Sequence, residues 1–218
     1  IIIKEGGQIS AYGLGWDYKQ GTGYSSVGGG AHGGNGSYSN NVYGTIENPI
    51  SLGSPGKSTN KAGGAIHLNV TNSIHINGSI IATAVPRRTG YSHGESSGGS
   101  IWIASNSIEG IGSIDASGSW AAGDGRGAGG GRIHLEANNI TYNGNISNYG
   151  GSGGFGNGSS GTVLIEYNEI LNMSNSNLIH RSGINTSIMI LYNNSYGKIM
   201  LTGGIGDSTI AFHEAILI

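Results

Sequence analysis

The stretch GGSIWIASNSIEGIGSIDASG, from Gly98 to Gly118, decides the fold of this chain. It has glycine at both ends, isoleucine at nearly every second or third position between them, and only two charged residues, Glu109 and Asp115. Apolar residues that recur with a period of two are typical of β-strands, in which successive side chains point to opposite faces. The stretch therefore predicts short strands that turn at glycine corners.

The same pattern recurs along the chain behind four glycines spaced by 35, 32 and 30 residues, namely Gly64, Gly99, Gly131 and Gly161. The apolar positions that follow align in four columns: Ile66, Ile101, Ile133 and Val163; Leu68, Ile103, Leu135 and Ile165; Ile74, Ile108, Ile140 and Ile170; and Ile80, Ile114 and Ile146, where the fourth copy has Ser176. Each unit is predicted to contain three short strands and a glycine-rich loop. No unit can bury its apolar face alone, so the units are expected to stack.

This repeat predicts an all-β fold, a parallel β-helix with coils about 4.8 Å apart. A right-handed winding is expected because crossover connections are almost always right-handed. The coils are predicted over residues 1–170, with a long glycine-rich loop inserted at 14–63 and packed on the flank of the solenoid. The long loops of successive coils should lie on one side. Residues 171–218 keep strand-like patterns and are expected to form a cap or the start of a following module.

The first residues fit the same template. Ile3 and Ile9 are six residues apart, as are Ile74 and Ile80, which predicts that the chain starts at the second strand of a coil. A solenoid that starts there has an unpaired strand edge, and such an edge favours pairing with another strand. The expected partners are neighbouring modules of the same chain or further copies of it.

Composition narrows the possible functions. Charged residues make up 10% of the chain and the net charge is −2, which gives no reason to expect nucleic acid as a partner. The 44 glycines come with only 3 prolines and no G-X-Y period, which excludes collagen. No apolar run is long enough to span a bilayer, so no membrane insertion is expected.

Glycosylation sequons indicate where the protein is located, which its charge does not. If the 22 Asn and the 40 Ser or Thr residues were placed at random in the 218-residue chain, about four N-x-[ST] sequons would be expected. The chain has nine, at Asn35, Asn69, Asn77, Asn139, Asn145, Asn157, Asn172, Asn185 and Asn193. The excess predicts a secreted, extracellular or cell-surface protein that carries covalent N-glycans. The alternative is that a composition rich in Asn, Ser and Thr creates sequons that are never used.

No arrangement of residues indicates catalysis. Glycosidic hydrolysis needs two positioned carboxylates, whereas the acidic residues here are scattered without a D-x-D pair. The closest pair is Glu136 and Glu166, which share one repeat position and should lie about 5 Å apart. They are expected to face solvent and splay apart, unless a cation or a raised pKa holds them together. The sequence thus predicts no catalytic residue, no metal and no cofactor.

A column of outward residues is the one candidate binding surface. It contains His67, Trp102, His134 and Leu164, one from each repeat. Aromatic residues in such a row can bind sugar rings, but they can equally lie beneath a long loop, and the second alternative is favoured because Trp is usually mostly buried. A metal site made of His67, His134 and Glu136 is a third and weaker alternative.

The layout GGGAHGGNG…GGAIHLNV…GGSIWI…GSIDASG…GRIHLE resembles the glycine-rich β-helix segments of very large extracellular, adhesin-like proteins of protists and some bacteria. The resemblance covers roughly residues 7 to 167 and is lost after Ile170. It implies a structural or adhesive module of a secreted surface or fibre-forming glycoprotein, assembling end to end into filaments. The alternative is a carbohydrate-binding or polysaccharide-cleaving β-helix of the pectin-lyase-like kind.

Overall fold

The computed structural model describes residues 1–57, 60–86 and 93–173 with their side chains, and five further strands beyond them. Within these parts of the chain there are strands, turns and loops but no helix. The strands, in chain order, are β1 (Ile2–Ile3), β2 (Gln8–Ser10), β3 (Ala65–Ile76), β4 (Ser79–Ile81), β5 (Ser100–Gly110), β6 (Ser113–Asp115), β7 (Arg132–Tyr142), β8 (Asn145–Ser147), β9 (Thr162–Asn172), β10 (Asn177–Arg181), β11 (Ser187–Asn193), β12 (Tyr196–Thr202), β13 (Asp207–Ala211) and β14 (Ile216–Leu217).

Two parallel sheets form the body of the molecule. The first contains β1, β3, β5, β7 and β9 side by side, and the second contains β2, β4, β6, β8 and β10. Each coil therefore consists of one long strand and one short strand, and a glycine-rich segment leads to the next coil. This arrangement confirms the predicted all-β parallel solenoid. The direction of winding stays a prediction.

The apolar columns lie where the repeat places them. Ile101, Ile103, Ile108 and Ile114, all from one coil, are fully buried. Each lies directly between its predicted counterparts in the coils before and after it. Burial of one such side chain contributes about 1.5–3 kcal/mol, so these columns are the main apolar contribution to folding.

The prediction of three strands in each coil was wrong, because the first two form one continuous strand. Strand β3 has 12 residues and β5 has 11. The register between them shifts between Val70 and Ser73, which marks a β-bulge. A bulge inserts an extra residue, which shifts the alternation of inward and outward side chains by one position. One long strand with a bulge therefore has the sequence pattern of two short strands.

A second bulge overturns the predicted position of Ile170. The register between β7 and β9 shifts between Ala137 and Asn139, and Leu171, not Ile170, pairs with Ile140. Leu171 is buried in the column and Ile170 is exposed. A slip of one residue moves a side chain to the opposite face of a strand, which explains why the sequence alignment selected the wrong neighbour.

The first coil also differs from its predicted register. Ile9 pairs with Ile80 as expected. Ile3, however, pairs with Ile76 and not with Ile74, the partner that the repeat predicts. The turn between β1 and β2 is two residues longer than the one between β3 and β4, and it contains Gly6 with a φ of 76°. That left-handed conformation is one which glycine adopts without steric cost.

The coil pattern continues into the C-terminal strands further than predicted. Leu178 of β10 lies parallel beside Ile146, in the position for which the sequence alignment had Ser176. Beyond it the direction changes, because β12 and β14 both pair with β9 in antiparallel fashion and β13 does so with β10. The assignment of 171–218 as a cap or a new module stays a prediction.

Glycines allow the backbones of adjacent coils to touch. A Cβ atom on Gly99, Gly131 or Gly161 would lie 1.8, 2.0 or 1.7 Å from the carbonyl oxygen of the equivalent glycine in the preceding coil. No side chain fits at those distances. The glycines that define the repeat are therefore required by the spacing of the coils.

Candidate functional site

The predicted ring column exists as a stack. The rings of His67 and Trp102 are 4.0 Å apart and nearly parallel, and those of Trp102 and His134 are 5.8 Å apart with an interplanar angle of 7°. Exposure decreases along the column, since His67 is exposed, Trp102 is half-buried, and both His134 and Leu164 are buried. Only the His67 end of the column is open to a ligand.

The long 14–63 loop covers the other end. Nδ1 of His134 is 2.8 Å from the carbonyl oxygen of Glu47, and its Nε2 is 2.9 Å from Oε2 of Glu166. The ring of His134 thus lies between the loop and strand β9 and contacts both. The Ser100 hydroxyl donates to the carbonyl of Ser51 at 2.7 Å. At this end the loop-covered alternative describes the column.

Arg132 also attaches that loop to the solenoid. Its Nε and Nη2 atoms donate to the carbonyl oxygen of Tyr43 at 3.1 and 2.7 Å, and Nη1 donates to the Thr162 hydroxyl at 2.9 Å. The guanidinium thus joins the loop to two successive coils. Burial lowers the pKa of Arg132 below its ordinary value, and sequence reasoning did not single out this residue.

The two glutamates behave as a separated pair. Glu136 and Glu166 are direct neighbours in the register of β7 and β9, as predicted. Glu166 turns toward His134, whereas Glu136 is exposed to solvent. Glu136 thus faces solvent as expected, but the expectation that both side chains face solvent was wrong for Glu166, which is half-buried.

The predicted sequons are distributed over the surface of the described part. Asn69, Asn145 and Asn157 are exposed, whereas Asn35, Asn77, Asn139 and Asn172 are half-buried. The side chain of Asn139 is engaged, because its Nδ2 donates to Glu169 at 2.9 Å. Of the other two sequons, Asn185 lies outside the described residues and Asn193 ends strand β11, whose side chains are not described.

The loops share a polar interior that the sequence did not predict. Glu95 is buried, and its Oε2 accepts hydrogen bonds from the Ser119 hydroxyl at 3.2 Å and from Nδ2 of Asn60 at 3.4 Å. Ser96 closes the network by donating to the carbonyl of Asn60 at 2.7 Å. Buried polar groups need such partners, so this network holds three glycine-rich segments together.

His32 is a buried titratable group whose pKa is strongly shifted. It is fully buried between the loops and its Nδ1 is 3.0 Å from the carbonyl oxygen of Gly98. The carbonyl can only accept, so Nδ1 carries the proton of the neutral ring. Burial first, and then the nearby positive charge of Arg132, lowers the pKa of His32 from 6.5 to about 3.

This pKa predicts acid sensitivity. The contribution of His32 to stability should be constant above the ordinary value of 6.5 and should fall below it, because the unfolded chain takes up a proton that folded His32 excludes. The loss accumulates at about 1.4 kcal/mol per pH unit, which is about 2 kcal/mol at pH 5. Urea unfolding at several pH values measures it. A His32→Gln variant should show a shallower decline, and an unchanged slope would refute the assignment to His32.

Two kinds of feature are absent from the described part of the chain. In that part no group of three or more His, Asp or Glu side chains is placed to hold a metal ion. The set His67, His134 and Glu136 is therefore not placed to hold one either. Likewise, no helix in that part of the chain is long and apolar enough to cross a membrane.

The geometry defines a parallel β-solenoid with a loop-covered flank. No family model, curated protein or solved structure matches this chain significantly.

Proposed function

We propose that this chain is a structural module of a secreted, N-glycosylated surface glycoprotein, and that it assembles end to end into fibres. The observation that carries the proposal is the coil-to-coil register. Equivalent residues lie directly beside one another in successive coils, on both sheets. A stack of identical layers has no intrinsic end, so each coil offers its neighbour the same surface.

Contacts on the outer face support a rigid rod. Nδ2 of Asn168 donates to Oδ1 of Asn138, and Nδ2 of Asn138 donates to Oδ1 of Asn106, both at 2.7 Å. This amide ladder crosses three coils outside the apolar core. Side chains that repeat in register can thus bond along the axis of the solenoid, adding to the backbone ladder.

We propose that the edge of the first sheet along strand β3 is the surface for assembly. Strand β1 pairs only with His75 and Ile76 of β3, and within the described chain no strand lies beside residues 65–72 on the side away from β5. In the next coil the backbone N–H of Ser100 points to the preceding coil and donates to Gly64. By register, the N–H groups of Ala65, His67 and Asn69 point outward from this edge, where another strand can accept them.

A proline at the edge tests this surface. Asn69→Pro removes one outward N–H and leaves the β3–β5 ladder intact, since proline is tolerated on edge strands. We expect the dissociation constant for self-association to rise at least about tenfold, measured by sedimentation velocity over a concentration series. Asn69→Ala is the matched control because it loses the same side chain but keeps the N–H. Equal association of the two variants would argue against pairing through this edge.

The glycoprotein part of the proposal has a separate test. None of the seven sequon asparagines in the described region is buried, so all of them have some access to solvent. Mass spectrometry of tryptic peptides from native material should find glycans on several of the nine. Unmodified asparagine at every site would remove the argument for secretion and leave the assembly proposal standing.

A further inference from the structure

A cleft lies where the chain leaves the short strands of the second sheet. Three aromatic residues border it, Tyr12, Trp120 and Tyr149, and the floor carries Thr83, Ser117 and Asp115. Tyr12 and Trp120 are exposed, at 44% and 47%. Large aromatic side chains usually bury most of their surface, so two exposed rings beside one cleft indicate a surface that can receive a ligand.

The solenoid register fixes the spacing of the walls. Backbone hydrogen bonds from Gly13 to Thr83 and from Gly118 to Tyr149 extend the ladder of the short strands into the cleft. They place Tyr12, Thr83, Ser117 and Tyr149 on four consecutive coils. With coils about 4.8 Å apart, the two tyrosines are separated by about 14 Å. Between them lie two residues with small hydroxyl side chains, so the cleft is an elongated trough with aromatic ends.

Polar groups converge on the floor. Asp115 is held in place because its Oδ1 accepts a hydrogen bond from the backbone N–H of Ser117 at 2.9 Å. The Ser117 hydroxyl is buried and has no hydrogen-bond partner within the described chain. Burial also raises the pKa of the Asp115 carboxyl above its ordinary value. An unpaired hydroxyl and a desolvated carboxyl in a cleft are features of binding sites.

We infer that this cleft binds a neutral oligosaccharide. A sugar ring has an apolar C–H face and hydroxyls at its edge, which suit an aromatic wall and a floor of hydroxyl and carboxyl groups. Among the described residues that line the cleft there is one carboxyl group, that of Asp115, and no basic side chain, which favours a neutral sugar over an anionic one. The site is distinct from the predicted His67–Trp102–His134 column and from the β3 edge, so its failure would leave the assembly proposal unaffected.

Direct titration tests the inference. Tetrasaccharides of glucose, mannose and N-acetylglucosamine are added separately to the unglycosylated, folded chain and followed by NMR, with tetragalacturonate as the anionic comparison. At least one neutral tetrasaccharide should bind, and Tyr12→Ala and Trp120→Ala should each weaken binding at least about tenfold. Phe155→Ala is the matched control, because Phe155 is also 47% exposed but does not line the cleft.

Each variant is first compared with the unsubstituted chain by thermal unfolding, so that loss of binding is not loss of fold. Three results would overturn the inference. They are no binding of any neutral tetrasaccharide up to about 10 mM, binding that survives in both the Tyr12 and Trp120 variants, and binding of tetragalacturonate alone.

Discussion

Replacing Gly131 by alanine is expected to lower the free energy of unfolding by about 3–5 kcal/mol. The new Cβ would lie 2.0 Å from the carbonyl oxygen of Gly99 and 2.7 Å from that of Ala116. Both atoms belong to backbone that is hydrogen-bonded in the coil ladder, since Gly131 N donates to Ala116 and Arg132 N donates to Gly99. Neither oxygen can move without breaking its backbone hydrogen bond, so the whole coil must shift. Urea unfolding followed by circular dichroism measures the loss.

Gly6 provides the control for that substitution. It lies in an open turn where an added Cβ would meet nothing within 4 Å, although its φ is 76°. Asparagine tolerates this conformation better than most residues, so Gly6→Asn should cost less than about 1 kcal/mol. If Gly131→Ala were as mild as Gly6→Asn, close stacking of the coils through their glycines would be wrong.

A second large loss of stability is expected from a substitution in the apolar core. Ile108→Ala should cost about 3–4 kcal/mol, because Ile108 is fully buried between Ile74 and Ile140 and the cavity cannot collapse between rigid neighbouring coils. Ile111, three residues along the same coil, is 71% exposed. Ile111→Ala should therefore change stability by less than about 0.5 kcal/mol.

Chemical denaturation of the two variants gives the comparison directly. The pair holds residue type, coil and chemical change constant, whereas Ile108 is buried in strand β5 and Ile111 is exposed in the turn that follows it. Equal losses in the two variants would contradict the assignment of Ile108 to the core column.

Much of the fold could be predicted because the repeats in the sequence show which residues of successive coils lie side by side. Gly99 and Ile101 recur at the same offsets in the other copies, and a side chain that recurs in this way must stack on its equivalents. Ile170 could not be placed, because a bulge changes the phase by one residue and leaves no mark in a sequence rich in neighbouring apolar residues. Local slips of register are settled by packing, which a linear pattern does not encode.

The candidate sites were less predictable. The sequence placed Trp102 in a stacked column, but not the loop that covers one end of it, since a contact such as that between His134 and Glu47 joins residues 87 positions apart. Tyr12 and Tyr149 occupy one repeat position, and that signal was present in the alignment. Trp120 lies in a loop whose equivalents in the neighbouring coils have no aromatic residue at that position, so no repeated signal marked it.

Cryo-electron microscopy of the purified chain over a series of concentrations tests the central claim most directly. The account predicts filaments that lengthen with concentration, in which the layers continue across each junction at a spacing of about 4.8 Å along the axis. Separate particles of one unchanging length at every concentration would contradict it.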